Sequence, residues 1–182
     1  MSYSYPTGLT SPRLQTRLLT PEDAAAWTEF FLSPEAIELF PSAWKGDPAQ
    51  ASQSWIERQL TRYADQRYGM QMLLHRETGE IIGQSGLLAQ EVDGIAELEV
   101  GYHILRRHWG QGYAPEAARL FFQLGFDLKQ VESIISIIDV RNVKSQRVAE
   151  KNGLVREKQT RWNELDVFVY RISREGWGLG SK

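Results

Sequence analysis

From Tyr68 to Leu105 the chain runs through three strand-like segments joined by short turn signals, and from Tyr113 its apolar period lengthens to that of a helix. The segments are Tyr68 to Arg76, Ile81 to Val92 and Ile95 to Leu105, hinged at Thr78-Gly79 and Asp93-Gly94. Asp-Gly and Thr-Gly between alternating apolar runs are hairpin signals, so this half predicts an antiparallel meander. Beyond it, Tyr113 to Leu128 reads as a helix and Glu132 to Val140 as an apolar β-rich strand. Lys144 to Lys151 reads as a second helix, and two strands flank Asn163-Glu164. Strand and helix alternating in this way predict a partly parallel second half.

Upstream, Arg13 to Leu19 alternates as a first strand, and Thr20-Pro21-Glu22-Asp23 places a capping hydroxyl before a proline and two acids. Ser33-Pro34-Glu35 and Asp47-Pro48 repeat that signal. Two or three helices therefore follow the first strand, carrying Trp27, Phe30 and Phe31 and then Trp55, Ile56, Leu60 and Tyr63. The expectation is one α/β domain over residues 13–178 on a mixed sheet of about six or seven strands. Residues 1–12, rich in Ser, Tyr and Pro, are expected to be a disordered segment.

A length of 182 residues suits one hydrophobic core, and a formal charge of −2 supplies no basic field for nucleic acid. The chain has no cysteine, which removes disulfides, a thiolate nucleophile and Cys-ligated metal. His75, His103 and His108 are too dispersed for a zinc site, so no metal is expected. No apolar run approaches the ~20 residues that cross a bilayer, and no signal peptide is visible; a cytoplasmic protein without membrane contact is expected.

The segment with chemical content is Val100-Gly101-Tyr102-His103-Ile104-Leu105-Arg106-Arg107-His108-Trp109-Gly110-Gln111-Gly112-Tyr113-Ala114-Pro115-Glu116-Ala117. A strand enters a glycine loop that opens a helix. Backbone near Gly110 and Gly112 can approach a ligand without a Cβ in the way, and the helix start adds unpaired N–H groups and the positive end of its dipole. Such a loop suits a pyrophosphate. No Lys-Ser or Lys-Thr follows a second glycine, as a Walker loop requires, and the third glycine of a dinucleotide fold is missing.

The loop resembles that of the GNAT acetyltransferases, Q/R-x-x-G-x-G/A, at Arg107, Gly110 and Gly112, and the longer string is similar to the RimJ/RimL branch. A second match, Asn142-Val143-Lys144-Ser145 with Val148 and Asn152-Gly153-Leu154, lies downstream. The resemblance implies an acetyl-CoA cosubstrate and a sheet splayed between its fourth and fifth strands, with the pantetheine arm in the gap. It implies that Ile104 makes main-chain contacts to that arm, and that His108, Gly110, Gln111, Gly112, Tyr113 and Ala114 hold the pyrophosphate through their amides. Arg107, with Arg106, is expected to add charge there, and Asn142 to contact the arm while capping its helix.

Glu97 and Glu99 share one face of a strand, and Glu99 matches the family's E-x-G-Y string, which makes it the expected base. The tyrosine that many members carry seven residues after the Asn is Ala149 in this chain, leaving Ser145 as the expected donor near the sulfur. The expected acceptor is a primary amine, at a peptide N-terminus or on a small molecule, near Trp44, Trp55, Tyr63 and Trp162. A CoA-binding sensor without turnover is the alternative, and the chain is expected as a monomer or homodimer.

Overall fold

The computed structural model describes residues 5–128 and 131–180. A first strand, β1 (Leu14–Arg17), leads to helices α1 (Asp23–Leu32), α2 (Pro34–Ile37) and α3 (Pro48–Ala64). The meander follows as β2 (Met70–His75), β3 (Ile81–Val92) and β4 (Ile95–Ile104). Then come α4 (Tyr113–Leu128), β5 (Ser133–Asp139), α5 (Val143–Lys151), β6 (Val155–Trp162), β7 (Leu165–Ser173) and α6 (Arg174–Gly180). The strands form one seven-stranded sheet in the order β1-β2-β3-β4-β5-β7-β6.

Local chemistry explains the hairpins. Asp93 and Gly94 take φ of 53° and 76°, and Asn163 and Glu164 take 43° and 70°, the left-handed pair that matches strand twist. Glu164 is a poor residue for that conformation, and its carboxylate is held by Ser42 Oγ at 3.0 Å. Asp47 caps α3 by accepting Gln50 N at 2.9 Å. At α1 the expected hydroxyl cap is replaced: Asp23 accepts Thr20 N at 2.8 Å and both Arg17 amino groups at 2.7 Å. The arginine–acid pair wins because a charge-assisted pair outweighs a neutral cap.

Helices cover both faces of the sheet. The α4 residues Ala117, Ala118, Phe121 and Phe122 are buried against Val100, Ile104 and Ile134. Gly125 lets that helix touch the sheet, since a Cβ there would lie 2.7 Å from Ile134 Cδ1. On the opposite face Trp27, Phe30 and Phe31 of α1 and Ile56 of α3 bury Met70, Met72 and Leu105.

The expected disorder of residues 1–12 does not hold for residues 5–12. Tyr5 is buried, its hydroxyl donating to Gly69 O at 2.5 Å and accepting Leu87 N at 3.3 Å, and Thr10 bridges to Gln15. An aromatic ring with a satisfied hydroxyl outweighs the chain entropy of so short a segment. Residues 1–4 lie outside the described residues.

One seam in the sheet is incomplete. β5 pairs with β7 along its whole length, from Ser133 with Ser173 to Asp139 with Val167, whereas its parallel pairing with β4 is confined to Glu99 with Ile135. Past that point the two strands part.

Candidate functional site

Gly110 and Gly112 have φ of 77° and 81°, so both glycines of the loop sit where a Cβ is disfavoured. A Cβ built on Gly110 would meet nothing within 4 Å, so the space beside the loop is open. Among the described residues, no acceptor takes the amides of Gly110, Gln111, Gly112, Tyr113 or Ala114; hydrogen bonding into the helix resumes with Glu116 N to Gly112 O at 3.4 Å. Pro115 has no N–H to leave unpaired. A run of unpaired donors at the positive end of a helix longer than four turns binds an anionic oxygen cluster.

Arg13, just ahead of β1, braces this loop from behind. Its Nη1 donates to Gln111 O at 2.9 Å, its Nε and Nη2 reach Glu116 Oε2 at 2.7 and 2.6 Å, and its guanidinium stacks 4.3 Å from the Tyr113 ring centre. Burial pushes the Glu116 carboxyl upward, but Ser11, the Arg13 amide and the Arg13 guanidinium outweigh it and hold it below the usual range. The loop shape is thus fixed by a residue about a hundred positions away in the sequence, which no local motif announces.

Arg107 behaves differently from its expected role. Its guanidinium is committed to Glu29 of α1, to Glu80 at 3.2 Å and to Ile81 O at 3.2 Å. Those carboxylates neutralise the side chain that was expected to add charge at the phosphates. Its carbonyl instead accepts Gln111 Nε2 at 3.1 Å, tying the loop to the preceding turn. The His108 amide is not free for a phosphate as expected, since it donates to Leu105 O at 2.9 Å in the tight turn before the loop, and its buried ring, with Nε2 3.3 Å from Glu80 and edge-on to Tyr113, packs beneath the loop. Trp109 donates Nε1 to Ile104 O at 2.8 Å, between Arg106 and Lys144 at 4.9 and 4.5 Å from its ring.

The parted strands adjoin this loop. Antiparallel pairing alternates, and Leu105 N donates to Ile82 O at 3.0 Å, so the odd residues of β4 serve β3 and the even ones turn toward β5. The amides of Tyr102 and Ile104 therefore face the gap with no strand opposite. Two side chains bridge its first step: Ser136 Oγ donates to Val100 O at 2.9 Å, and Ile137 N donates to Glu99 Oε1 at 3.2 Å. Glu99 also accepts Gln90 Nε2 at 2.7 Å. Burial raises its carboxyl above the ordinary range, against the pull of Gln90, Ile137 N and Arg62. Its neighbour Glu97 is bound to Arg171 through two contacts at 2.6 and 3.0 Å, which leaves Glu99 as the acid at the split.

Across the gap, Asn142 caps α5 by accepting Ser145 N at 3.1 Å. Ser145 Oγ lies 2.9 Å from the hydroxyl of Tyr102. Ile104 and Glu99 on β4 and Asn142 and Ser145 at the start of α5 thus flank the gap that adjoins the glycine loop.

On the α1–α3 face the aromatic residues gather around His103. Its ring lies 5.1 Å from those of Phe40 and Trp55 and 5.6 Å from Phe30, with Trp44 5.2 Å from Trp55. Burial lowers its pKa to about 4, so it is uncharged at neutral pH. Trp55 donates to Gln84 Oε1 at 2.9 Å. Tyr63 belongs elsewhere, bonded to Met70 O beside Tyr5, and Trp162 is tied to Glu91 O at 3.1 Å. Among the described residues no acidic or histidine cluster suited to a metal occurs, and no helix is long and apolar enough to cross a membrane.

Known proteins share this fold. The chain is 32% identical over 169 residues to the YkkB protein of Bacillus subtilis (strain 168), covering 90% of this chain and 94% of that one. The acetyltransferase from Agrobacterium tumefaciens str. C58 superposes with a TM-score of 0.77 at 28% identity, covering 96% and 98% of the two chains. A RimL ribosomal L7/L12 alpha-N-protein acetyltransferase, solved in complex with coenzyme A, has the same fold at a TM-score of 0.71 and 16% identity, over 91% and 97%. Residues 13–155 match the acetyltransferase (GNAT) domain, and the chain belongs to that family.

Proposed function

We propose that this acetyltransferase moves the acetyl group of acetyl-CoA to a primary amine by direct attack, in the manner of the RimJ/RimL branch, with a peptide N-terminus or a small-molecule amine as acceptor. The observation that carries the reading is the row of unpaired amides from Gly110 to Ala114 opening onto the parted strands β4 and β5. Its donors and its open space fit a diphosphate, and the unpaired Tyr102 and Ile104 amides fit an amide-bearing arm laid in like an extra strand.

Acetyl-CoA supplies an activated carbonyl. The protein aligns the two reactants, which alone contributes several kcal/mol toward the barrier. Glu99 takes the proton of the attacking nitrogen, directly or through water; its raised pKa brings it closer to neutrality and makes it a stronger base than an exposed carboxylate. Asn142 holds the start of α5 so that Ser145 faces the sulfur. The acceptor lies against Phe40, Trp44, Trp55 and the uncharged His103.

Calorimetry with coenzyme A, followed by acetyl-transfer assays across N-terminal peptides, polyamines and aminoglycosides, tests this reading. Saturable binding with transfer to one class supports it and names the acceptor. Binding with no transfer to any amine makes the protein a CoA sensor, and no binding removes the assignment.

A further inference from the structure

The hydroxyl of Tyr102 belongs to none of the roles above, yet it reaches across the split to α5. It lies 3.1 Å from Ser145 O, to which it donates, and 2.9 Å from Ser145 Oγ. In the second contact Ser145 Oγ donates to the Tyr102 hydroxyl, and a rotation of the phenolic O–H from the carbonyl to Oγ reverses that pair with no heavy atom displaced. When it does so, Ser145 becomes the acceptor in that pair and its own hydroxyl proton is released to point elsewhere.

We propose that Tyr102 is a positioning residue that aims the Ser145 hydroxyl at the sulfur of coenzyme A, the two forming a hydrogen-bond chain that stabilises the departing thiolate. As the amine nitrogen bonds to the carbonyl carbon, the carbon–sulfur bond breaks and its electron pair goes to sulfur. The nitrogen's proton leaves to Glu99 or water. The sulfur keeps its charge against Ser145 Oγ–H and takes a proton from water on release, so neither hydroxyl has to ionise. Burial keeps the Tyr102 phenol above its usual range despite Ser145, and Glu99 and Tyr170 push it the same way, which suits a donor that stays protonated. A hydroxyl on β4 thereby does work on α5, one turn before Ala149.

The inference rests on the coenzyme A reading, and the experiment separates the two. The thiolate absorbance of bound coenzyme A is titrated against pH in the wild type, Tyr102→Phe and Ser145→Ala, and affinities for coenzyme A and desulfo-coenzyme A are measured at pH 8. The proposal expects the bound thiol to titrate about one pH unit higher in either variant, and the wild-type preference for coenzyme A over the desulfo compound to fall about tenfold. The double variant should shift no further than either single one. A parallel loss of affinity for both ligands with an unmoved thiol titration assigns Tyr102 a purely structural part and overturns the proposal. Loss of all binding already in the wild type overturns the coenzyme A reading itself. Lys144 carries its ammonium near the same gap, over Trp109, so Lys144→Met serves as a control: its effect on the titration should add to that of Tyr102→Phe.

Discussion

Replacing Gly110 by alanine puts a definite strain into the loop, and that strain has two places to go. At φ of 77° an alanine costs about 1–2 kcal/mol relative to glycine. The new methyl meets no neighbour within 4 Å, so no clash adds to this figure. If the loop keeps its shape, the cost appears as lost folding stability and affinity for coenzyme A is unchanged. If the loop relaxes, stability is kept and the amides must be re-aimed on binding, which weakens affinity by about 5- to 30-fold. The sum of the two losses is then fixed at about 1–2 kcal/mol. Calorimetry and denaturant titration of the same preparation measure both, and Asn, which tolerates the left-handed region, should lose less than Ala at this site. A Gly110→Ala protein with neither loss would refute the claim that a left-handed bend presents the amides.

Other outcomes follow from the same geometry. Glu99 acts as a base only when ionised, and burial raises its pKa, so kcat/KM should climb as pH rises through that raised value. Glu99→Gln should lower transfer by about 10²-fold and remove the climb, and an unchanged pH profile excludes Glu99 as the base. Arg13→Ala takes away the donor to Gln111 O and the partner of Glu116. It should raise KM for acetyl-CoA by about 3- to 30-fold while leaving kcat nearly intact, because it moves the cradle and not the chemistry; a kcat defect at constant KM contradicts that role.

Much of the fold was readable because local signals and tertiary packing agree. The helix Tyr113–Leu128 and the strand Ile81–Val92 have the expected ends, since a glycine with positive φ precedes the first and a left-handed Asp-Gly turn closes the second. The order of the last two strands is set by long-range pairing: β7 sits between β5 and β6, and only its apolar content against the charged β6 hints at that inner place. The same limit applies to the site. Gly110, Gly112 and Asn142 announce themselves because backbone conformation and capping are local demands. Arg13, His103 and Tyr102 matter through partners that the chain brings together only when folded. Arg107 shows the converse, a motif residue whose side chain is taken up by Glu29 and Glu80. Charge in a sequence does not say which carboxylate will claim it.

The most direct measurement is the structure of the protein with coenzyme A bound. The account predicts the diphosphate oxygens within hydrogen-bond distance of the Gly110 to Ala114 amides, and the pantetheine arm between β4 and β5 with its amides paired to Tyr102 and Ile104. A diphosphate seated elsewhere, or an arm lying outside the split, contradicts it.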